Sequence, residues 1–329
     1  MRRVLVLATN LDQASFRLRI AALQPLLAER GFDLNIYVRP KGWRASGLLK
    51  SKLRTAGDYH AVILQRKFLS PSEAKTLRQH ARRILYDIDD AMMHHNRDVG
   101  ILSRWRTARN YAATTPILDH VVAGNEYLAA IFREQDRSVT IIPTMLDTPR
   151  YLVKTHEPTD TPGLVWIGSR STIPYLEKSL PALEAAAKEL PGLRLITIAN
   201  ATVRSKTLRV EHIEWTEDGE AAALCQGDIG IAPTPSDPWT MGKCGFKILQ
   251  YMAAGLPVIA SPVGANADIV QESVTGFLAK EAGDWPGAVL KLARDEQLRA
   301  TMGPAARELV ASRYTLHHAA KLWAEILAE

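Results

Sequence analysis

Eleven short runs of apolar, largely β-branched residues recur along the chain, and they constrain its fold more than any other feature. They are VLVLAT (4–9), LNIYV (34–38), AVILQ (61–65), RILYDI (83–88), HVVAG (120–124), VTIIP (139–143), GLVWIG (163–168), LRLITIA (193–199), VEHIEW (210–215), IGIAP (229–233) and PVIAS (257–261). Most are continuously hydrophobic rather than alternating, as strands covered on both faces of a parallel sheet must be. Helical spacings fill the gaps: Phe16, Ile20, Leu23 and Leu27 share one helix face, and Leu176, Leu180, Leu183 and Ala187 another. Strand and helix in alternation predict an α/β protein with parallel sheets. A chain of 329 residues is expected to form two domains. The stretch PRYLVKTHEPTDTP (149–162) is proline-rich and lacks periodicity, so the boundary is placed there. The expectation is two facing doubly wound, Rossmann-like parallel-sheet domains over 1–150 and 151–313. A C-terminal helix over 314–329 follows, with Leu316, Leu322, Trp323 and Ile326 able to pack back on the first domain. In such folds ligands sit beyond the carboxyl ends of the strands, here in the cleft between the domains.

Composition removes several function classes. Two cysteines, Cys225 and Cys244, are too few for a disulfide framework and fit a reducing compartment. No apolar run reaches the roughly 20 residues of a membrane-spanning helix, and the short apolar stretch after Met1 reads as a strand rather than a signal peptide. A cytoplasmic protein is expected, with the inner membrane face as one location. GxSxG, HExxH, CxxC and GxxxxGK[ST] are all missing, which disfavours serine hydrolases, zincins, redox motifs and P-loop NTPases. The charge is lopsided: residues 1–150 hold 24 Lys and Arg against 14 Asp and Glu, and the remainder 17 against 21. Between Arg39 and Arg54 lie Lys41, Arg44, Lys50 and Lys52 with no acid, interleaved with Trp43, Leu48 and Leu49. Such a segment suits an anionic membrane surface, and equally a solvated charged loop. No nucleic-acid module accompanies the charge, so a nucleic-acid partner is not expected.

Two elements in the second half favour an anion. In KCGFKILQYMAAGLPVIASPVG (243–264), Phe246, Leu249 and Ala253 follow helical spacing, as do Ile248 and Met252, and Gly255 with Pro257 ends the helix. Lys243 and Lys247 then stand at the positive helix end, where cations are disfavoured unless a phosphate-like anion sits between them. The alternative is two lysines reaching into water. In GLVWIGSRST (163–172), a strand runs into Gly168, Ser169, Arg170, Ser171 and Thr172, with Pro174 opening a helix. Backbone N–H groups, hydroxyls and an arginine there make a diphosphate cradle, or else an ordinary helix start with a surface arginine. In the first half, DIDDAMMHH (87–95) places Asp87, Asp89, Asp90, His94 and His95 at a strand's carboxyl end. Clustered carboxylates need a partner: a hydroxyl-rich ligand, nearby arginines or a metal. Ser15, Arg17 and Arg19 follow the first strand in the same way, and Arg17 invites an anion or faces solvent. Arg97, Arg104, Arg106 and Arg109 surround Trp105 in a long insert that reads as an acceptor lid.

QYMAAGLPVIASPVG followed by ADIVQESVTGFLA resembles the signature of retaining GT-B glycosyltransferases of family 4, the glycosyl transferases group 1 type. IGSRST, DIGIAPTPSDPW (228–239) and IIPTMLD (141–147) extend the likeness. The resemblance implies sugar transfer from a nucleotide-diphosphate-sugar to a hydroxyl acceptor, lipid-linked acceptors included, with retention and without cofactor or metal. Cell-surface polysaccharide or glycolipid synthesis is the implied setting. Domain 1–150 would bind the acceptor and 151–313 the donor. Arg170 and Lys247 would neutralise the diphosphate. Residues 168–172, Trp215, Asp237, Lys243, Gln250 and Gly264 would complete the donor site, with Asn200 and Glu214 as further candidates. Asp89 and Asp90 would be catalytic, and Ser15, Arg17, Asp89 and His94 would meet the acceptor. The chain departs from the family at two positions, where Gly242 and Gln250 replace glutamates; Asp237 or Glu272 could supply a missing carboxylate. A non-catalytic nucleotide-sugar-binding protein and a nucleotide-sugar epimerase on the same fold are the rivals.

Overall fold

The apolar runs become strands of two six-stranded parallel sheets, the inner ones buried on both faces, in a computed structural model that describes residues 1–40, 42, 45–94 and 99–329. Lys41, Trp43, Arg44, His95 and Arg97, singled out in the sequence, lie outside the described residues.

The first sheet is built from β1 (Arg2–Ala8), α1 (Ala14–Arg19), α2 (Gln24–Ala28), β2 (Phe32–Val38), α3 (Ala45–Arg54), β3 (Ala61–Gln65), α4 (Pro71–His80), β4 (Ile84–Ile88), α5 (Ile101–Thr114), β5 (His120–Ala123), α6 (Glu126–Arg133) and β6 (Val139–Ile141). Its order is β2-β1-β3-β4-β5-β6, so the direction of winding reverses between β1 and β3. Val4, Val6, Ile63 and Leu85 point into one apolar layer with Phe16, Ile20, Leu23 and Leu27. Leu5, Leu7, Val62 and Tyr86 point into another with Leu49, Leu53 and Leu77. Period-two alternation into two apolar layers is why the strand sequences read as unbroken hydrophobic runs. The predicted first helix is interrupted at Ile20 and resumes as α helix at Gln24, yet its four apolar residues all stay buried.

The second sheet follows from β7 (Gly163–Ile167), α7 (Ile173–Glu189), β8 (Arg194–Ala199), β9 (Arg209–Glu214), α8 (Glu220–Leu224), β10 (Ile229–Ala232), α9 (Phe246–Ala253), β11 (Val258–Ala260), α10 (Ala265–Ile269), β12 (Gly276–Leu278), α11 (Asp284–Arg294) and α12 (Glu296–Arg313). Its order, β12-β11-β10-β7-β8-β9, reverses between β7 and β10. The three-residue β12 was not expected: its run is too short to stand out from a loop.

The chain divides into one unit of Met1–Met145, Asp237–Cys244 and Leu316–Glu329, and another of Leu146–Ser236 and Gly245–Thr315. Helix α13 (Leu316–Ala328) belongs to the first unit, where Trp323 and Ile326 join the layer under β1 and β3. The stretch Asp237–Cys244, read in sequence as donor-side, also packs with the first unit. Within 39–54, residues 45–54 are helix rather than loop, with Leu49 and Leu53 turned inward and Leu48 outward.

Candidate functional site

In the first unit, charge collects at the carboxyl ends of β1, β3 and β4. Arg19 is buried because helical spacing puts it on the same face as the buried Ser15 and Phe16. Its guanidinium donates to Asp87 Oδ1 at 2.6 and 3.0 Å, to the Ile142 carbonyl at 2.8 Å and to Thr144 Oγ1 at 3.3 Å. Asp87 therefore supports the loop from within instead of facing a ligand.

Arg66, which the sequence reading missed, organises the rest. Its backbone adopts φ 57°, a left-handed conformation disfavoured for a side chain of this size. From there it donates to Ser15 Oγ at 2.8 Å and to Asp90 Oδ2 at 2.6 Å, and its Nε lies 3.3 Å from Asp89 Oδ1. Loops from three strands are thus gathered on one cation. Lys243 adds a second, 3.3 Å from Asp90 and stacked over Trp239. The acidic loop is tied by basic neighbours, one of the alternatives open from sequence. Burial pushes the Asp89 carboxyl up to about 6, Arg66 opposes that, and the Asp90 charge adds to it. A carboxyl so placed exchanges its proton readily near neutral pH. His94 is half-buried and within 3.3 Å of the Tyr127 hydroxyl; Arg17 is half-buried on α1. Among the described residues no His, Cys, Asp and Glu cluster could hold a metal. Cys225 and Cys244 are both free thiols.

The segment Asp237–Cys244 is clamped by Asn125, which caps α6 through Leu128 N–H and donates to the Met241 and Lys243 carbonyls at 3.0 and 2.9 Å. This corrects the reading of Lys243 and Lys247 as a pair flanking one anion. Only Lys247 lies in the first turn of α9, while Lys243 is engaged by Asp90. Asp237 Oδ1 accepts from the Trp239 and Thr240 N–H groups and so caps a local turn. Gly242 sits against Ala91, whose backbone nitrogen would lie 2.6 Å from any added Cβ. No glutamate fits there without movement.

In the second unit, the β7 and β10 carboxyl ends part at the reversal of strand order. Tyr251 of α9 bridges them, accepting from Ile167 N–H at 2.9 Å and donating to the Ile231 carbonyl at 3.0 Å. Four residues earlier on the same helix face, Lys247 Nζ rests 4.8 Å from the centre of the Trp166 ring. The same ring reaches beneath Gly168, where an added Cβ would come within 2.4 Å of it. Trp166 therefore brings Lys247 and the 168–172 loop together. Gly168 contributes space rather than a donor, since its N–H is spent on the Ile198 carbonyl. Arg170 is exposed, and its N–H is held by Asn200 Oδ1 at 3.1 Å. Thr172 Oγ1 stabilises the loop by accepting from Ser169 N–H, and the Ser169 and Ser171 hydroxyls pair at 2.8 Å. Gly264, with φ 55°, starts α10 at the end of the β11 loop.

A carboxylate that the sequence did not announce, Glu220, stands beside Gln250. It accepts from Gln250 Nε2 at 3.0 Å, Tyr151 Oη at 2.8 Å and Trp215 Nε1 at 2.9 Å. Glu272 accepts from Leu278 N–H and caps the strand edge instead, and Glu214 lies 3.5 Å from His212. Restoring the family residue by Gln250→Glu would set two carboxylates against each other in a largely buried site. The variant is expected to lose about 2 kcal/mol of stability in chemical denaturation. Unchanged stability would show that the Gln250–Glu220 bond is not maintained.

Residues 162–295 match the family model for glycosyl transferases group 1. A sulfoquinovosyl transferase of Arabidopsis thaliana is 31% identical over 146 residues, which make up 40% of this chain and 28% of that protein. An N-acetyl-alpha-D-glucosaminyl L-malate synthase of Bacillus anthracis is 31% identical over 101 residues, 30% of this chain and 25% of that protein. The chain thus spans less than a third of the length of these curated relatives. HepE from Anabaena, solved in complex with UDP and glucose, superposes with a TM-score of 0.72 at 16% identity, with 100% of both chains covered. Sucrose-phosphate synthase from Thermosynechococcus elongatus gives 0.71 at 15% identity, again over 100% of both chains. The fold is that of the GT-B proteins.

Proposed function

Because residues 162–295 match the family model for glycosyl transferases group 1, we propose a transferase that moves a sugar from a nucleotide-diphosphate donor to a hydroxyl acceptor, with retention and without a catalytic metal. One observation carries the reading. Lys247 in the first turn of α9 and the 168–172 loop converge on Trp166 at the point where the second sheet reverses its order. An anion bound there meets a helix N-terminus and an ammonium, and the exposed Arg170 of the 168–172 loop is a second cation able to reach it. As the glycosidic bond breaks, charge grows on the leaving diphosphate, and fixed cations stabilise that change more than they stabilise the ground state. Two such cations supply what a metal supplies in other phosphate chemistry, which supports the metal-independent reading.

Trp215 and Glu220 are suited to the nucleoside: an indole edge for the base and a carboxylate able to accept from ribose hydroxyls. In the first unit the Ser15–Arg66–Asp89–Asp90 constellation would meet the acceptor. Asp89, with its carboxyl near 6, is the group there best placed to take a hydroxyl proton. A lipid-linked acceptor in cell-surface glycan or glycolipid synthesis fits the basic character of this unit.

The test is a thermal-shift panel of UDP, GDP, ADP and their sugars, followed by mass analysis of products with simple hydroxyl acceptors. One nucleotide diphosphate is expected to raise the melting temperature by several degrees, as tight binding to the native state must. Failure of every nucleotide would overturn the reading. Binding without transfer or hydrolysis would mark a non-catalytic binding protein, and conversion of the donor without an acceptor an epimerase.

A further inference from the structure

Helix α5 turns its apolar side to solvent. Ile101 and Leu102 are each 84% exposed and Trp105 is 58% exposed, whereas Thr114 on the opposite face is buried in the protein. Helical geometry sets Ile101, Leu102, Trp105, Ala108, Arg109 and Ala112 on one outward face. Arg104 and Arg106 flank this stripe, and the Arg109 guanidinium lies 4.9 Å from the centre of the Trp105 ring. No acidic residue occurs anywhere in α5. The same side of the sheet carries α4 and, beyond it, α3 with exposed Leu48 and the cations Lys50, Lys52 and Arg54. Burial lowers the affinity of Lys67 for its proton, and the nearby Arg39 and Arg106 charges add to that.

We infer that the outward face of α5 is a docking surface for a bilayer rich in anionic lipid. Large apolar side chains and a tryptophan, bordered by arginines and free of acids, match the acyl boundary and the phosphate layer of such a surface together. A second copy of this chain would bring the same arginines face to face, which charge disfavours. The inference deepens the proposed function by naming where a lipid-linked acceptor is met, and rests on it only for that acceptor.

The full chain is sedimented with vesicles of phosphatidylcholine alone and with vesicles containing 30 mol% phosphatidylglycerol as the stated probe. Binding is expected only to the second, weakening as salt rises. Each of Arg104→Gln, Arg106→Gln and Arg109→Gln should weaken it about fivefold. I101S combined with L102S should weaken it at least about tenfold. Quenching of tryptophan fluorescence by bromo-acyl lipid should fall in Trp105→Phe. These outer-face variants should melt as the parent does, so a loss of binding is not a loss of fold. No binding to the anionic vesicles, binding that survives all the variants, or a dimer dispersed by I101S and L102S would each overturn the inference. The nucleotide panel separates the two proposals. Vesicle binding without any nucleotide response sinks the transferase reading alone, and nucleotide response without vesicle binding sinks this one alone.

Discussion

Replacing Arg19 by methionine is expected to cost about 3–5 kcal/mol of stability, lowering the melting temperature of the first unit by roughly 10 °C. The methionine fills much of the space but leaves the Asp87 carboxylate, which has no solvent exposure, without its bidentate partner. It also removes the donors to the Ile142 carbonyl and Thr144. A buried charge deprived of its counter-charge is far costlier than a pair removed together. Arg19→Met combined with Asp87→Leu should therefore recover most of the loss. Chemical denaturation of the three variants decides the matter. A single variant within about 0.5 kcal/mol of the parent would mean that the pair is not a structural anchor.

Lys247→Ala should leave the fold nearly intact, because a cation over an indole contributes only about 0.5–2 kcal/mol. Its effect on the donor should be large. Loss of a fixed charge aimed at the leaving diphosphate is expected to lower kcat by about 10²–10³. Affinity for a nucleoside diphosphate should fall while affinity for the bare nucleoside does not. That contrast separates a role at the phosphates from a general disturbance of the pocket. Lys247→Arg should restore part of the loss, since it keeps the charge but changes its reach and shape. Equal affinities of parent and alanine variant for the diphosphate would remove Lys247 from the site.

The inner strands were legible because both of their faces are covered, so their sequences carry little beyond apolar residues. The edge strand β12 was not legible: three residues beginning with Gly276 give no such run. Lys247 and the 168–172 loop could be singled out because charge at a helix start conflicts with the helix dipole and needs explaining. Arg19 left a usable sign, standing three residues after the buried Phe16 on the same helix face, where only a buried acid such as Asp87 could accept it. Arg66 left none. Its importance comes from a left-handed backbone and from residues 15, 89 and 90, which only the sheet brings together. Glu220 is similarly silent, a helix-starting acid until Gln250, Tyr151 and Trp215 converge on it.

The backbone passes between the two units at residues 145–146, 236–237, 244–245 and 315–316. Neither unit is therefore one uninterrupted piece of chain, and an emerging polypeptide cannot finish them in turn. The first sheet can assemble early, but the layer beneath it stays open until Trp323 and Ile326 have been synthesised. During that interval the side of α2 that α13 covers faces water, and the nascent chain is at its most dependent on protection from aggregation.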